Sequence, residues 1–299
     1  MTSPARKLVI GCGYLGIRVA RRWLAAGDEV SALTRTAARA AELERQGLRP
    51  LVGDVVDARR LPQFAAFDTV LFAVGFDRSD SATIDEVYAG GVRNVLATLP
   101  AEIGRLIYVS TTGVYGDARG DEVDELTPPD PQRPGGIASL AAERAIADHP
   151  LGGRAAVLRL AGIYGPGRIP YLASLQAGEP IPAPSAGWLN LIHVDDGATA
   201  VLAAERWLEV AGRGPHTFCV SDGSPVVRGD YYAEAARLLG AVKPRFADPA
   251  PDSPALARAG ADRRISNRKM LASLGVKLAY PDYRAGLAAI MGSVENQSR

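Results

Sequence analysis

Leu8-Val9-Ile10-Gly11-Cys12-Gly13-Tyr14-Leu15-Gly16 is an apolar run that stops abruptly in the pattern G-x-G-x-x-G. By itself the glycine pattern is a weak signal. Its setting gives it meaning: residues 7–10 read as a strand, and residues 14–26 read as a helix with Leu15, Val19, Ala20, Trp23 and Leu24 on one face. Gly27 then supplies a C-terminal stop. In that setting Gly11 permits a tight turn, Gly13 lets the backbone approach a pyrophosphate, and Gly16 lets the helix pack closely on the strand. The helix start offers unpaired amides and a partial positive charge to an anion. The expected contacts of this turn are therefore Gly11, Cys12, Gly13, Tyr14, Leu15 and Gly16.

Working outward, short β-rich runs alternate with helical patterns. Residues 29–33, 49–52, 69–74, 106–109 and 155–160 read as strands, and residues 37–46, 81–99 and 137–147 as helices. The strongest helical pattern is 81–99, where Ile84, Val87, Tyr88, Gly91, Val92, Val95, Leu96 and Leu99 step by three and four until Pro100. Strands alternating with helices imply right-handed βαβ units and a parallel sheet covered on both faces. The expected fold is α/β, a Rossmann-type doubly wound parallel sheet with a smaller C-terminal substrate lobe. Residues 1–165 form the nucleotide-binding domain, and a strand at 190–194 with a helix at 197–208 returns residues 186–211 to it. Residues 166–185 and 212–299 make up the lobe, including a Pro/Asp-rich loop at 247–254.

The end of the second strand is where such folds choose between cofactors. A carboxylate there holds the ribose 2′-hydroxyl of NAD. This chain has Thr34-Arg35-Thr36, with Arg39 one helical turn later. No carboxylate stands ready to repel a 2′-phosphate, and an arginine suits one. NADP is the expected cofactor, with NAD as the alternative. Asp54 and Val55 follow the third strand where an adenine would lie. Ala73, Val74 and Gly75 end the fourth strand, where backbone passes beneath a cofactor.

Composition removes other classes. The 299 residues carry 34 Lys and Arg against 33 Asp and Glu, a formal charge of +1, which argues against a broad nucleic-acid or polybasic membrane surface. No apolar stretch reaches the ~20 residues of a membrane span. Cys12 and Cys219 cannot make a disulfide framework, and no Cys/His cluster suggests zinc. With no signal-peptide pattern, a cytoplasmic protein with reduced thiols is expected. Only four of the basic residues are lysines (Lys7, Lys243, Lys269 and Lys277), so none lies between 8 and 242.

Three further stretches complete a resemblance. They are Val109-Ser110-Thr111-Thr112-Gly113-Val114-Tyr115-Gly116, Arg159-Leu160-Ala161-Gly162-Ile163-Tyr164-Gly165-Pro166-Gly167 and Asn190-Leu191-Ile192-His193-Val194-Asp195-Asp196. With the glycine turn they resemble the extended short-chain dehydrogenase/reductases, the NAD-dependent epimerase/dehydratase group. The resemblance implies an NAD(P)-dependent oxidoreductase or epimerase/dehydratase-like enzyme acting on a small polar metabolite, such as a sugar or nucleotide derivative. It implies that Thr111 bonds the substrate oxygen and Ser110 lies against the cofactor. It also implies that the helices at 81–99 and 137–147 are the pair through which many relatives form homodimers.

One departure limits the transfer of function. The group's Tyr-x-x-x-Lys pair precedes an Ala-Ala-Glu, which here is Ala141-Ala142-Glu143. The tyrosine position is then Gly135 and the lysine position Ser139, and no lysine lies nearby to replace it. That lysine lowers the tyrosine pKa, without which a phenol near 10 is ionised only to ~0.1% at pH 7. Tyr164, after the sixth strand, is the expected substitute. Tyr115 reads as packing, and His193, beside Asp195 and Asp196, reads as a helix cap. Arg159 either pairs with a carboxylate or faces the ligand. The acidic run Asp121, Glu122, Asp124 and Glu125 reads as a solvated loop. The alternative to an enzyme is an NADP(H)-binding or redox-sensing protein without turnover.

Overall fold

The central strand is β1 (Arg6–Ile10), buried along its apolar length because strands lie on both sides of it. A computed structural model describes residues 3–77, 81–250 and 261–297. After β1 come α1 (Gly16–Ala25), β2 (Glu29–Thr34), α2 (Ala37–Arg45), β3 (Arg49–Val52), β4 (Thr69–Phe72), α3 (Gly91–Thr98), β5 (Arg105–Thr111), β6 (Glu122–Val123), α4 (Pro134–Asp148) and β7 (Ala155–Leu160). The second part holds β8 (Gly162–Tyr164), α5 (Leu172–Ala177), β9 (Ile181–Pro182), β10 (Trp188–Leu189), β11 (Leu191–His193), α6 (Val194–Trp207), β12 (His216–Val220) and α7 (Arg228–Leu238). Seven parallel strands form one sheet in the order β12-β7-β5-β4-β1-β2-β3. The expected doubly wound sheet is therefore present. Chain order reverses between β1 and β4, so a crevice opens at their C-terminal ends, where ligands bind in such sheets.

Alternation along the strands builds two cores. Val9 points into a cluster with Val19, Trp23, Val201 and Phe218, contributed by α1, α6 and β12. Leu8 and Ile10 point to the opposite face, against Val92, Val95, Ala142 and Ile146 of α3 and α4. A third cluster, with Tyr164, Ile181, Tyr231 and Leu287, forms the lobe from β8, β9, α7 and the helix Tyr283–Gln297.

The lobe boundary differs from the sequence reading in two places. Leu191–His193 pairs in parallel with Gly162–Tyr164 as a separate two-stranded ribbon, not with the central sheet. Helix α6 does return, packing on α1. The seventh strand of the sheet is β12, which lies inside the 212–299 segment. Phe218, Cys219 and Val220 are fully buried, with Phe218 and Cys219 entering different clusters, so this strand needs cover on both faces. The edge beside β7 provides it. Of the 247–254 loop, residues 251–254 lie outside the described residues.

The helix expected at 81–99 has a break in type. Thr83 and Glu86 cap it reciprocally, Glu86 N donating to Thr83 Oγ1 at 3.2 Å and Thr83 N to Glu86 Oε2 at 2.7 Å. A π-helical turn, Glu86–Gly90, then precedes α3. Periodicity cannot register a single inserted residue inside an otherwise continuous apolar face.

A buried ion pair fixes α4 to the sheet. Glu143 accepts from Ser110 Oγ (2.5 Å), Arg159 Nη2 (2.6 Å) and Arg159 Nε (3.1 Å), while Arg159 Nη1 donates to the Tyr115 hydroxyl at 2.8 Å. Arg159 thus pairs with a carboxylate. Removing one partner strands the other charge in the core. Glu143→Ala is expected to lower unfolding stability by about 3–5 kcal/mol in urea titrations, and replacing Glu143 and Arg159 together with apolar residues is expected to cost less.

Candidate functional site

The crevice at the C-terminal ends of β1, β4 and β5 is a cleft of about 1610 Å³. Its floor is the glycine turn. Gly11 has φ +93°, and a Cβ there would stand 2.5 Å from the Ala73 backbone. A Cβ on Gly16 would collide with the Gly11 carbonyl oxygen, which keeps α1 tight on β1. A Cβ on Gly13 would meet nothing within 4 Å, so this residue borders open space. The three glycines thus do different physical jobs. Helix α1 starts at Gly16, and the Ile17 and Arg18 amides already donate to the Gly13 and Leu15 carbonyls; Gly13, Tyr14 and Leu15, just before the helix, line the cleft, and among the described residues no backbone acceptor takes their amides. Among the turn residues named from sequence, Gly11 to Leu15 line the cleft, and Gly16 lies behind it.

The remaining expected contacts converge on the same space. Thr34, Arg35, Asp54, Val55, Ala73, Val74, Gly75, Ser110 and Thr111 all line it. Arg39 joins them, donating to the Cys12 carbonyl at 3.2 Å and to Glu42 at 2.6 Å. Asp54 accepts from Val56 N at 3.0 Å and lies 3.6 Å from Arg60. The Tyr14 hydroxyl donates to the Pro166 carbonyl at 3.0 Å, and the Arg18 and Arg168 guanidinium groups lie 4.3 and 5.3 Å from its ring centroid. That contact carries the chain of the lobe over the glycine turn and places Arg168 at the rim. Burial pushes the Cys12 thiol up to about 11, so it is not a thiolate at neutral pH.

At the other end, Thr111 closes β5. Its Oγ1 accepts from Gly113 N at 3.0 Å, which leaves the hydroxyl proton for another acceptor. Gly135 and Ser139 also line this end. Ile84 fills the space beside Gly135, its Cδ1 lying 3.2 Å from where a Cβ would stand. Tyr88, Tyr108 and Arg133 complete the wall, and none of these was picked out from sequence as a site residue. Tyr88 sits within the apolar periodicity of its helix, which hid it. Arg133 is an ordinary loop residue until Pro134 starts α4 behind it.

Several expected candidates lie elsewhere. Tyr164 is not among the cleft-lining residues. It is 1% exposed in the lobe core, edge-on to His193, and its hydroxyl donates to the Asp282 carbonyl at 3.4 Å. Burial and the nearby Asp222 drive this phenol far above its ordinary range. Its place follows from β8, whose alternation turns Ile163 toward the cleft and Tyr164 away. Tyr115 is buried against Arg159 and Cys219. His193 caps α6, accepting from Asp195 N, and burial lowers its pKa. Asp195 faces Arg18 and Arg22, and Asp196 accepts from the backbone amides of Ala279 and Tyr280. The acidic run is used structurally: Glu122 pairs with Arg268, Asp124 accepts from Leu126 N, and Glu125 accepts from Cys219 N. No group of metal-ligating residues occurs among the described residues.

The geometry is that of a dinucleotide cleft, and comparison with known proteins agrees. The NAD dependent epimerase/dehydratase family matches residues 8–218. The chain belongs to this family. Protein YeeZ of Escherichia coli (strain K12) is 31% identical over 280 residues, covering 92% of this chain and 96% of its own. A 3-diazoavenalumate denitrifying reductase of a Streptomyces species is 29% identical, covering 94% and 99%. A solved structure of a functionally unknown conserved protein from Silicibacter pomeroyi DSS shares 28% identity with a TM-score of 0.75, covering 97% of this chain and 99% of that one. The epimerase/dehydratase family is NAD-dependent, and the open space over Gly13 beside unpaired amides fits a nicotinamide dinucleotide. Among the described residues no helix is long and apolar enough to cross a membrane.

Two predictions follow from the glycine turn and from the lobe. Gly13→Ala is expected to fold normally and lose nucleotide binding, while Gly16→Ala is expected to lower the thermal midpoint, as read by calorimetric titration and scanning calorimetry. Asp222 lies buried in the lobe, its Oδ1 accepting from Ser224 N and its Oδ2 unpartnered. Burial, with Asp282 and Asp196 nearby, raises its pKa from 3.8 to about 7. The folded state therefore binds a proton that the unfolded state releases near 4. Wild-type stability from this group falls as pH rises from about 4 to about 7 and is level above that. Asp222→Asn is expected to remove this dependence and gain at most about 4 kcal/mol over wild type at pH 8, measured by denaturation at pH 5 and pH 8.

Proposed function

We propose that this chain is an NADPH-preferring oxidoreductase that reduces a small polar carbonyl metabolite in a site lacking the Tyr-x-x-x-Lys pair. The observation that carries this reading is the continuity of the cleft. A single space of about 1610 Å³ runs from the Arg35 rim across the glycine turn to Thr111 and Ser139. A site for one ligand is commonly ~300–1,000 Å³. The extra volume admits a second small molecule beside the cofactor. The Streptomyces relative, named a reductase, supports the same class.

The residues have distinct tasks. Gly11, Gly13 and the amides of Gly13 to Leu15 that lead into α1 hold the pyrophosphate. Arg35, with Arg39 braced against the Cys12 carbonyl, faces the 2′-phosphate. Ala73, Val74 and Gly75 support the cofactor from below, and Ser110 is held by Glu143 at the base of this wall. Thr111 donates its hydroxyl proton to the substrate oxygen. When bound, the nicotinamide supplies hydride. Arg168 and the lobe segment following Pro166 close over the rim and limit water. A binding or redox-sensing role without turnover needs no room beyond the cofactor, so the spare volume favours the enzyme. A homodimer through α3 and α4 belongs to this proposal, and light scattering tests it.

Calorimetric titration with NADPH and NADH in parallel tests the cofactor assignment. Micromolar binding with NADPH preferred is expected. A bond from arginine to a charged phosphate is worth about 1.5–3 kcal/mol. Arg35→Ala is therefore expected to weaken NADPH binding by roughly 10- to 100-fold and leave NADH within about twofold. An unchanged NADPH/NADH ratio overturns the role of Arg35, and no binding of either nucleotide overturns the reading as a whole.

A further inference from the structure

Three tyrosines line the cleft, and their hydroxyls are placed differently. Tyr14 already donates its proton to the Pro166 carbonyl. Tyr108 is 2% exposed and shares a hydrogen bond with Ser139, and burial drives its phenol far above the usual range. Tyr88 is half-buried, and its hydroxyl oxygen accepts from Phe76 N at 3.3 Å. Among the described residues its proton meets no acceptor. Phe76 directly follows Ala73-Val74-Gly75, the segment just after β4, so this bond fixes the phenol beside that backbone.

Local structure singles out the same residue. Tyr88 sits in the π-helical turn Glu86–Gly90, between the capping box at Thr83 and the start of α3. Such turns add a residue to a helix, re-aim a side chain, and are frequent at functional sites. Tyr88 is close enough to Tyr108 to raise that phenol further, and Tyr108 touches Ser139, which stands at the vacated lysine position. Gly135, at the vacated tyrosine position, faces Ile84 from the same helical segment. The segment 84–88 thus lines the cleft beside Gly135 and Ser139.

We propose that Tyr88 is the proton donor of this cleft, replacing the absent tyrosine–lysine pair from a different helix. The assignment rests on the reductase reading above. In the step concerned, hydride from a reduced nicotinamide forms a C–H bond at a carbonyl carbon, and the C=O π pair moves to oxygen. That oxygen takes a proton as the Tyr88 O–H bond breaks, and the phenolate recovers a proton from water in the cleft. Thr111 bonds the same oxygen, and the Phe76 amide stabilises the phenolate that forms.

The test uses the full chain with tyrosine labelled at ¹³Cζ. Tyr88→Phe identifies the Tyr88 resonance among those of the ten tyrosines. Saturating NADP⁺ is expected to move that resonance and leave those of Tyr115 and Tyr164 in place. 2′-Phospho-ADP-ribose, which lacks the nicotinamide, is expected to bind without moving it. A Tyr88 resonance unmoved by bound NADP⁺ overturns the assignment and leaves the cofactor reading intact. Absence of any nucleotide binding overturns that reading and the assignment with it. In NADPH-dependent reduction of those aldehydes and ketones from a small panel that the wild type turns over, Tyr88→Phe is expected to lose about 10²–10⁴-fold in kcat, with NADPH Kd within about twofold and the circular dichroism of wild type. Undiminished kcat in that variant overturns the assignment.

Discussion

The contact between Gly16 and the Gly11 carbonyl sets the distance between α1 and β1, and the rest of the cleft is built on that distance. No side chain fits between them. The helix can therefore start directly above the strand end, with Gly13, Tyr14 and Leu15 just before it lining the crevice between β1 and β4. On the opposite side Gly11 fits against Ala73, which brings the end of β4 under the same space. A larger residue at either position would lift the helix or push β4 aside, and the crevice would lose its floor. Tyr14, inside the same turn, then ties the Pro166 segment of the lobe across the top.

The far wall depends on a different kind of interaction. Helix α4 presents Gly135 and Ser139, and no tyrosine or lysine, to the cleft, yet it is held firmly in position. Glu143 is anchored by Ser110 and Arg159 from the two adjacent strands β5 and β7. A buried, fully bonded carboxylate holds the helix whether or not its cleft-facing residues react. Gly135 and Ser139 are consequently small residues on a well-fixed wall, and the neighbouring helical segment at Ile84 and Tyr88 approaches it.

The lobe shows how burial can overrule a motif. Tyr164 sits in a stretch that matches the family pattern closely, and sequence alone makes it the natural replacement for the missing acid. In the folded chain it is a core residue, packed with His193, Tyr231 and Leu287, and a Cβ on Gly286 would collide with its hydroxyl. The period-2 alternation of a three-residue strand decides which of Ile163 and Tyr164 faces the cleft, and a strand that short leaves no pattern to read. The placement of β12 has the same origin. A strand buried on both faces looks alike whether it ends a large sheet or starts a lobe.

The amino-acid sequence by itself determined the parallel α/β fold, the glycine turn and its separate roles, and the absence of a lysine. These depend on local spacing, and local spacing survives in one dimension. It also picked out Arg35, Asp54, Gly75 and Thr111, which line the crevice, because each lies at or just after the C-terminal end of a strand and those ends face one side of the sheet. Only the tertiary structure decided which tyrosine faces the cleft, which charge partners Arg159, and which strand closes the sheet. Those outcomes depend on one residue of helical or strand phase and on contacts between segments far apart in the chain. Neither leaves a periodic trace in the sequence.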